Sequence, residues 1–185
     1  MMYDLPKSVE VGGCVYEIRS DYRAVLDICA ALSDPELSDD ERGLVTLTIF
    51  YPGFPNMPPE QYQEAIRACF WFINCGTEEN SRQKSPRLVD WAQDFPYIVA
   101  PVNRVCGQEI RAAPYMHWWT FLSYYYEIGG DCTFAQIVHI RDKLARGKPL
   151  DKSERAWYRQ NRNLVDFQRK YTQAEDALVK AWTEP

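Results

Sequence analysis

The sequence predicts a mainly α fold: a helical domain with a short N-terminal β-hairpin. Three observations carry this. SVEVGGCVYEI alternates apolar and polar residues around a Gly-Gly pair. From Asp21 onward, apolar residues recur at spacings of three and four. Capping residues, prolines and glycines fall between those runs, where helices begin and end.

The elements follow in order. Val9 and Val11 alternate with polar positions, Gly12-Gly13 supplies the turn, and Val15 and Tyr16 begin the return strand, so a hairpin is expected over 8–18. A lone hairpin is marginal in water and must pack on helices or on another chain's edge. Asp21 caps a helix through Leu32. SDDER starts a second one, with acids in its first turn. PGFPNMPP, with four prolines in eight residues, breaks the chain. Pro58-Pro59-Glu60 then opens a helix to about Cys75, ended by Gly76. The polar TEENSRQKSP is expected to be a mobile loop near 77–86.

Pro86 restarts a helix that carries Leu88, Trp91 and Phe95 on one face, which Pro96 and Pro101 should kink or divide. Pro114 begins the aromatic segment, closed by Gly129-Gly130. Thr133 is the expected cap of FAQIVHIRDKLARG, which Gly147 and Pro149 end. Asp151 caps KSERAWYRQNR, with Glu154 three residues on as in a capping box. The organisation is thus one domain over 1–185: the hairpin, a helical part over 21–112, aromatic and basic helices over 114–162, and a C-terminal helix or tail over 163–185.

Length and composition fit a globular chain. It has 185 residues, 46% hydrophobic and 25% charged, with aromatics high at 14%. No run of eighteen apolar residues appears, so no membrane span is expected. The opening MMYDLPKSVE lacks a basic start and apolar run, and a cytoplasmic setting is expected. Cys14, Cys29, Cys69, Cys75, Cys106 and Cys132 are scattered without a C-x-x-C pair, which reads as reduced thiols rather than a zinc site or disulfide framework. The net charge of −5 is uneven: −9 over residues 1–138 and +4 over 139–185. Opposite ends of that kind favour head-to-tail self-association, a homo-oligomer, or a charged partner.

Catalytic chemistry finds little support. His117 and His139 are the two histidines. His117 reads as a partly buried ring with a backbone partner, and His139 as a surface residue. Asp90 and Asp94 could pair as carboxylates for acid–base work. Placed opposite Leu88, Trp91 and Phe95, they read instead as a solvated helix face. No phosphate-binding loop, dinucleotide fingerprint or H-E-x-x-H appears. No catalytic residue, cofactor or metal is therefore expected, and the chain reads as a non-enzyme.

Two segments invite a binding role. Residues 139–170 hold 10 basic and 4 acidic residues, with Trp157, Tyr158 and Phe167 among them. They could track nucleic-acid phosphates, although a chain of pI about 5.1 is a poor polyanion binder. Trp157 and Tyr158 are expected to split, one inward and one outward. From Trp118 to Tyr126, six of nine residues are aromatic. Tyr115, Trp118, Leu122 and Tyr125 share one helical face, with Trp119 and Tyr126 elsewhere. Such a helix is either wholly core, or half core and half partner surface.

The run from His117 to Arg162 resembles the signature region of the gene product fifteen family of long-tailed phages and prophages of Gram-positive hosts. The matching residues are Trp118, Trp119 and Phe121; Glu127, Ile128 and Gly129; Cys132, Thr133 and Phe134; Ile140, Arg141 and Lys143; and Gly147, Lys148, Leu150, Lys152, Glu154 and Tyr158. The extra Gly130 departs from the pattern. The resemblance implies a role in tail morphogenesis: a tail assembly chaperone that coats the tape-measure protein in the host cytoplasm and is absent from the finished particle. An upstream tail chaperone is a further partner it implies. No catalytic residues come with it. On this reading the partner-binding candidates are Trp118, Trp119, Tyr125, Tyr126, Trp157, Arg155 and Arg159. The alternative is a nucleic-acid-binding accessory protein that uses 139–170.

Overall fold

The hairpin forms as its alternation requires. In the computed structural model, which describes residues 4–77 and 86–168, β1 (Ser8–Val11) pairs antiparallel with β2 (Cys14–Glu17), Val11 opposite Cys14 and Val9 opposite Tyr16. Gly12 and Gly13 turn at φ 58° and 75°, a region that residues with a Cβ rarely enter. Val9 and Val11 are buried. The Tyr16 hydroxyl donates to Gln61 Oε1 at 2.7 Å and anchors the hairpin beside a helix start.

Three helices complete this first unit. α1 (Tyr22–Leu32) is capped by Asp21, whose carboxylate accepts from the Arg23 amide. α2 (Asp39–Phe50) begins with a full capping box between Ser38 and Glu41. Its C-terminal carbonyls are met by Arg19, whose Nη1 donates to Thr48 O at 2.8 Å and Ile49 O at 2.6 Å. The proline segment folds as two single 3₁₀ turns, Phe54–Asn56 and Pro59–Gln61. α3 (Tyr62–Ile73) follows, and the chain leaves it through Cys75 and Gly76, both at positive φ. Val25, Ile28, Leu47, Phe50, Cys69 and Phe72 are buried in this unit. The expected loop near 77–86 lies largely outside the described residues.

The second unit, within 86–168, departs more from expectation. α4 (Trp91–Cys106) starts five residues after Pro86, with Asp90 as its cap accepting from the Ala92 and Gln93 amides. It runs unbroken through Pro96 and Pro101. Each proline leaves the carbonyl four residues earlier without its amide donor. Ala92 is exposed and Tyr97 half-buried, while Ile98, Pro101 and Val102 are buried and hold the helix by packing.

α5 (Trp118–Tyr126) starts at Trp118, not Pro114, because His117 is its cap: Nδ1 accepts from the Trp119 amide at 3.1 Å. α6 (Thr133–Ala145) has Thr133 as its first residue and Cys132 as its cap. The Cys132 sulfur accepts from the Ala135 amide at 3.4 Å. Gly147, at φ 64°, lets the Lys148 amide reach back to Lys143 O at 2.8 Å, and the helix stops there. α7 (Lys152–Gln160) carries the expected capping box between Asp151 and Glu154. A single turn, α8 (Arg162–Val165), follows. Most of the expected C-terminal helix or tail lies outside the described residues.

Among the described residues all six cysteines are free thiols. Burial pushes the Cys29 thiol up to about 11 and raises Cys69 further. No helix of the described residues is long and apolar enough to cross a membrane.

Candidate partner-binding site

The α4 helix sets the site. Asp94, Ile98, Val99, Pro101 and Val102 are its buried stripe, at spacings of four, one, two and one. Leu88 lies outside the helix, so the face inferred from Leu88, Trp91 and Phe95 is not the buried one. Asp90 and Asp94 are therefore not solvated: both are buried, Asp94 completely. The solvated reading fails because Asp94 lies one turn before Ile98 on the buried face and Asp90 is taken up as the helix cap.

Asp94 meets Arg141 of α6. Arg141 Nη1 donates to Asp94 Oδ2 at 2.6 Å and Nη2 to Oδ1 at 3.0 Å. The remaining donors go to carbonyls: Nε to Val165 O at 2.7 Å, Nη1 to Leu88 O at 2.9 Å, and Nη2 to Leu164 O at 2.9 Å. Five acceptors match the five N–H groups of a guanidinium. The Phe167 ring stacks 4.2 Å from the guanidinium carbon. Arg141 thus ties α4, α6 and α8 together and is unavailable to phosphate.

The same accounting covers other cations of the basic region. Lys143 Nζ donates to both oxygens of Glu154 at 2.6 and 2.8 Å, and His139 Nε2 lies 2.8 Å from Glu154 Oε1. Hydrogen bonds from Lys143, from the Asp151 amide and from His139 hold the Glu154 carboxyl down to about 2. Arg146 pairs with Asp142, and Arg162 with Asp166. The Tyr158 hydroxyl donates to Asp166 at 2.7 Å. Lys152, Arg155 and Arg159 enter no ion pair among the described residues. With Tyr158 they line a shallow, open pocket of about 420 Å³ on α7. Arg155 and Arg159 are thus where a charged partner can reach them. Trp157 and Tyr158 do not split into inward and outward: both are half-buried.

The aromatic helix does divide. Trp118, Phe121 and Leu122 are buried. The Trp118 ring stacks on Phe121 at 5.6 Å and meets Trp91 edge-on at 5.7 Å. Trp118 is therefore core and not a partner surface. Tyr125 is largely taken up as well, between Trp91 at 5.0 Å and Phe134 at 5.7 Å, and burial pushes its hydroxyl up to about 12. Trp119 is half-buried beside His117, and Tyr126 is 74% exposed. The outward remainder is Trp119, Tyr126 and the half-buried Tyr124.

The signature residues now have physical roles: Arg141 and Glu154 as ion-pair hubs, Gly147 as a helix stop, Tyr158 as a link to Asp166. Sequence reasoning missed Asp94 as the partner of Arg141. The signal for it was available: once Asp90 is taken as the cap, Asp94 falls on the stripe of Ile98 and Pro101. Among the described residues, no three of His, Cys, Asp and Glu gather as metal ligands would.

No curated protein and no solved structure matches the chain significantly. The family described as Bacteriophage Gp15 protein matches residues 1–167, most of the 185. The chain belongs to that bacteriophage family.

Proposed function

We propose that the protein is a non-catalytic tail assembly chaperone that takes the tape-measure protein during tail morphogenesis in the host cytoplasm. One observation supports this above the others: α5 is apolar on both sides but buries only one. Trp118, Phe121 and Leu122 fill the core, while Trp119 and Tyr126 stand on the outer side with Tyr126 exposed. Large aromatic side chains with one wet face are what interface hot spots are made from. A long apolar client helix would lie against such a face.

The test is site-specific photocrosslinking. A photoreactive phenylalanine analogue at Tyr126, in cells that make the tape-measure protein of the same genome, is expected to capture that protein. The same analogue at Arg111, exposed on the loop after α4, is expected not to. Equal capture at both positions, or none at Tyr126, would remove the reading.

A further inference from the structure

Most cations of the second unit are neutralised within the unit. Arg87, Arg104, Arg111, Arg141, Lys143, Arg146 and Arg162 each hold a carboxylate. Lys148, on the turn after α6, and Lys152, Arg155 and Arg159 do not. The last three occupy α7 at spacings of three and four, so they share one stripe about 10 Å long at 1.5 Å per residue. All three are exposed, around the Tyr158 ring and its shallow pocket. The Arg155 and Arg159 Nε groups reach only backbone carbonyls, of Asp151 and Arg155.

The complementary charge lies elsewhere in the same sequence. Residues 1–77 hold 12 Asp/Glu against 5 Lys/Arg. Five of those acids, Asp34, Glu36, Asp39, Asp40 and Glu41, fall within eight residues that lead into α2. Arg42, paired with Asp39, is the one cation beside them. Asp39, Asp40 and Glu41 are exposed. We propose that the Lys152–Arg155–Arg159 stripe of one copy docks on the acidic segment 34–41 of a second copy, so that copies join head to tail. Such a contact is heterologous and can repeat from copy to copy. Nucleic acid is the less favoured occupant. Four open cations, Lys148 and the three of the stripe, make few phosphate contacts, and a chain of net charge −5 repels a polyanion at longer range.

The test is charge reversal with complementation, on the full chain, by light scattering after size exclusion. In 50 mM salt the wild type is expected to self-associate with rising concentration and to dissociate in 500 mM salt, as exposed charges are screened. Arg155→Glu with Arg159→Glu is expected to abolish association, as is Asp39→Lys with Asp40→Lys. These positions are exposed, and circular dichroism checks that each variant keeps its helices. Mixed one to one, the two variants are expected to associate again, because each presents what the other now lacks. A wild type that stays monomeric at every concentration, association that survives either reversal, or a mixture that stays monomeric would overturn the proposal. So would salt-sensitive retention of a single-stranded oligonucleotide, lost with Arg155→Glu, by a chain that does not self-associate.

Discussion

Arg141 carries the largest single consequence in the second unit. Its side chain and that of Asp94 are 3% and 0% exposed. Removing one partner leaves a buried charge and unmet polar groups, so Arg141→Met is expected to cost about 3–5 kcal/mol. The double variant with Asp94→Leu should recover part of that, because both charges then leave together. Chemical denaturation of the three proteins gives the numbers. A loss under about 1 kcal/mol for Arg141→Met would mean that the pair does not hold α4, α6 and α8. This pair also shows where sequence reading stops. Arg141 stood out as part of a basic helix, where charge normally means solvent. Asp94 turns inward to meet it because it stands one turn before Ile98 on the buried face of α4.

At the scale of elements, caps were legible and faces were not always. Asp21, Asp151 with Glu154, and the Gly-Gly turn act as their local chemistry demands, because each satisfies its own backbone neighbours. Pro96 and Pro101 do not break α4, because packing outweighs two lost hydrogen bonds. The aromatic segment was legible as helix and core, but which ring faced which way needed the partners Trp91 and Phe134. That division is testable: Trp118→Ala is expected to cost about 3–5 kcal/mol of stability. Tyr126→Ala should stay within about 0.5 kcal/mol and act on client binding instead. Thermal unfolding of both variants separates core from surface, and equal losses would contradict it.

The α6–α7 pair carries a pH dependence of known sign. The folded Glu154 carboxyl lies near 2, below its ordinary 4.5. A carboxyl depressed on folding contributes stability that is fully present above about pH 4.5 and is lost as pH falls toward 2. Glu154→Gln should therefore be less stable than the wild type at pH 6, with the difference narrowing below pH 4. Denaturant midpoints at a series of pH values measure this. A constant difference down to pH 2 would show that Lys143 and His139 do not hold the charge.

At the scale of the whole molecule, the chain spends most of its unusual chemistry on holding itself together. Four of the eight described Lys and Arg of the basic region that invites a nucleic-acid reading are held in internal ion pairs, and the aromatic run is half core. Among what remains outward are an aromatic side of α5, a cation stripe on α7 and the acidic segment before α2. The uneven charge was legible in the sequence from the start, but which cations were left over was not, since that depends on who pairs with whom in three dimensions.

The most direct test of that account is co-expression with the tape-measure protein of the same genome, followed by size exclusion with light scattering. The account predicts a soluble complex containing both chains, with several copies of this one, that fails to form when Trp119 and Tyr126 are both changed to Ser while the variant alone stays folded. An insoluble tape-measure protein beside a free wild-type monomer would contradict it.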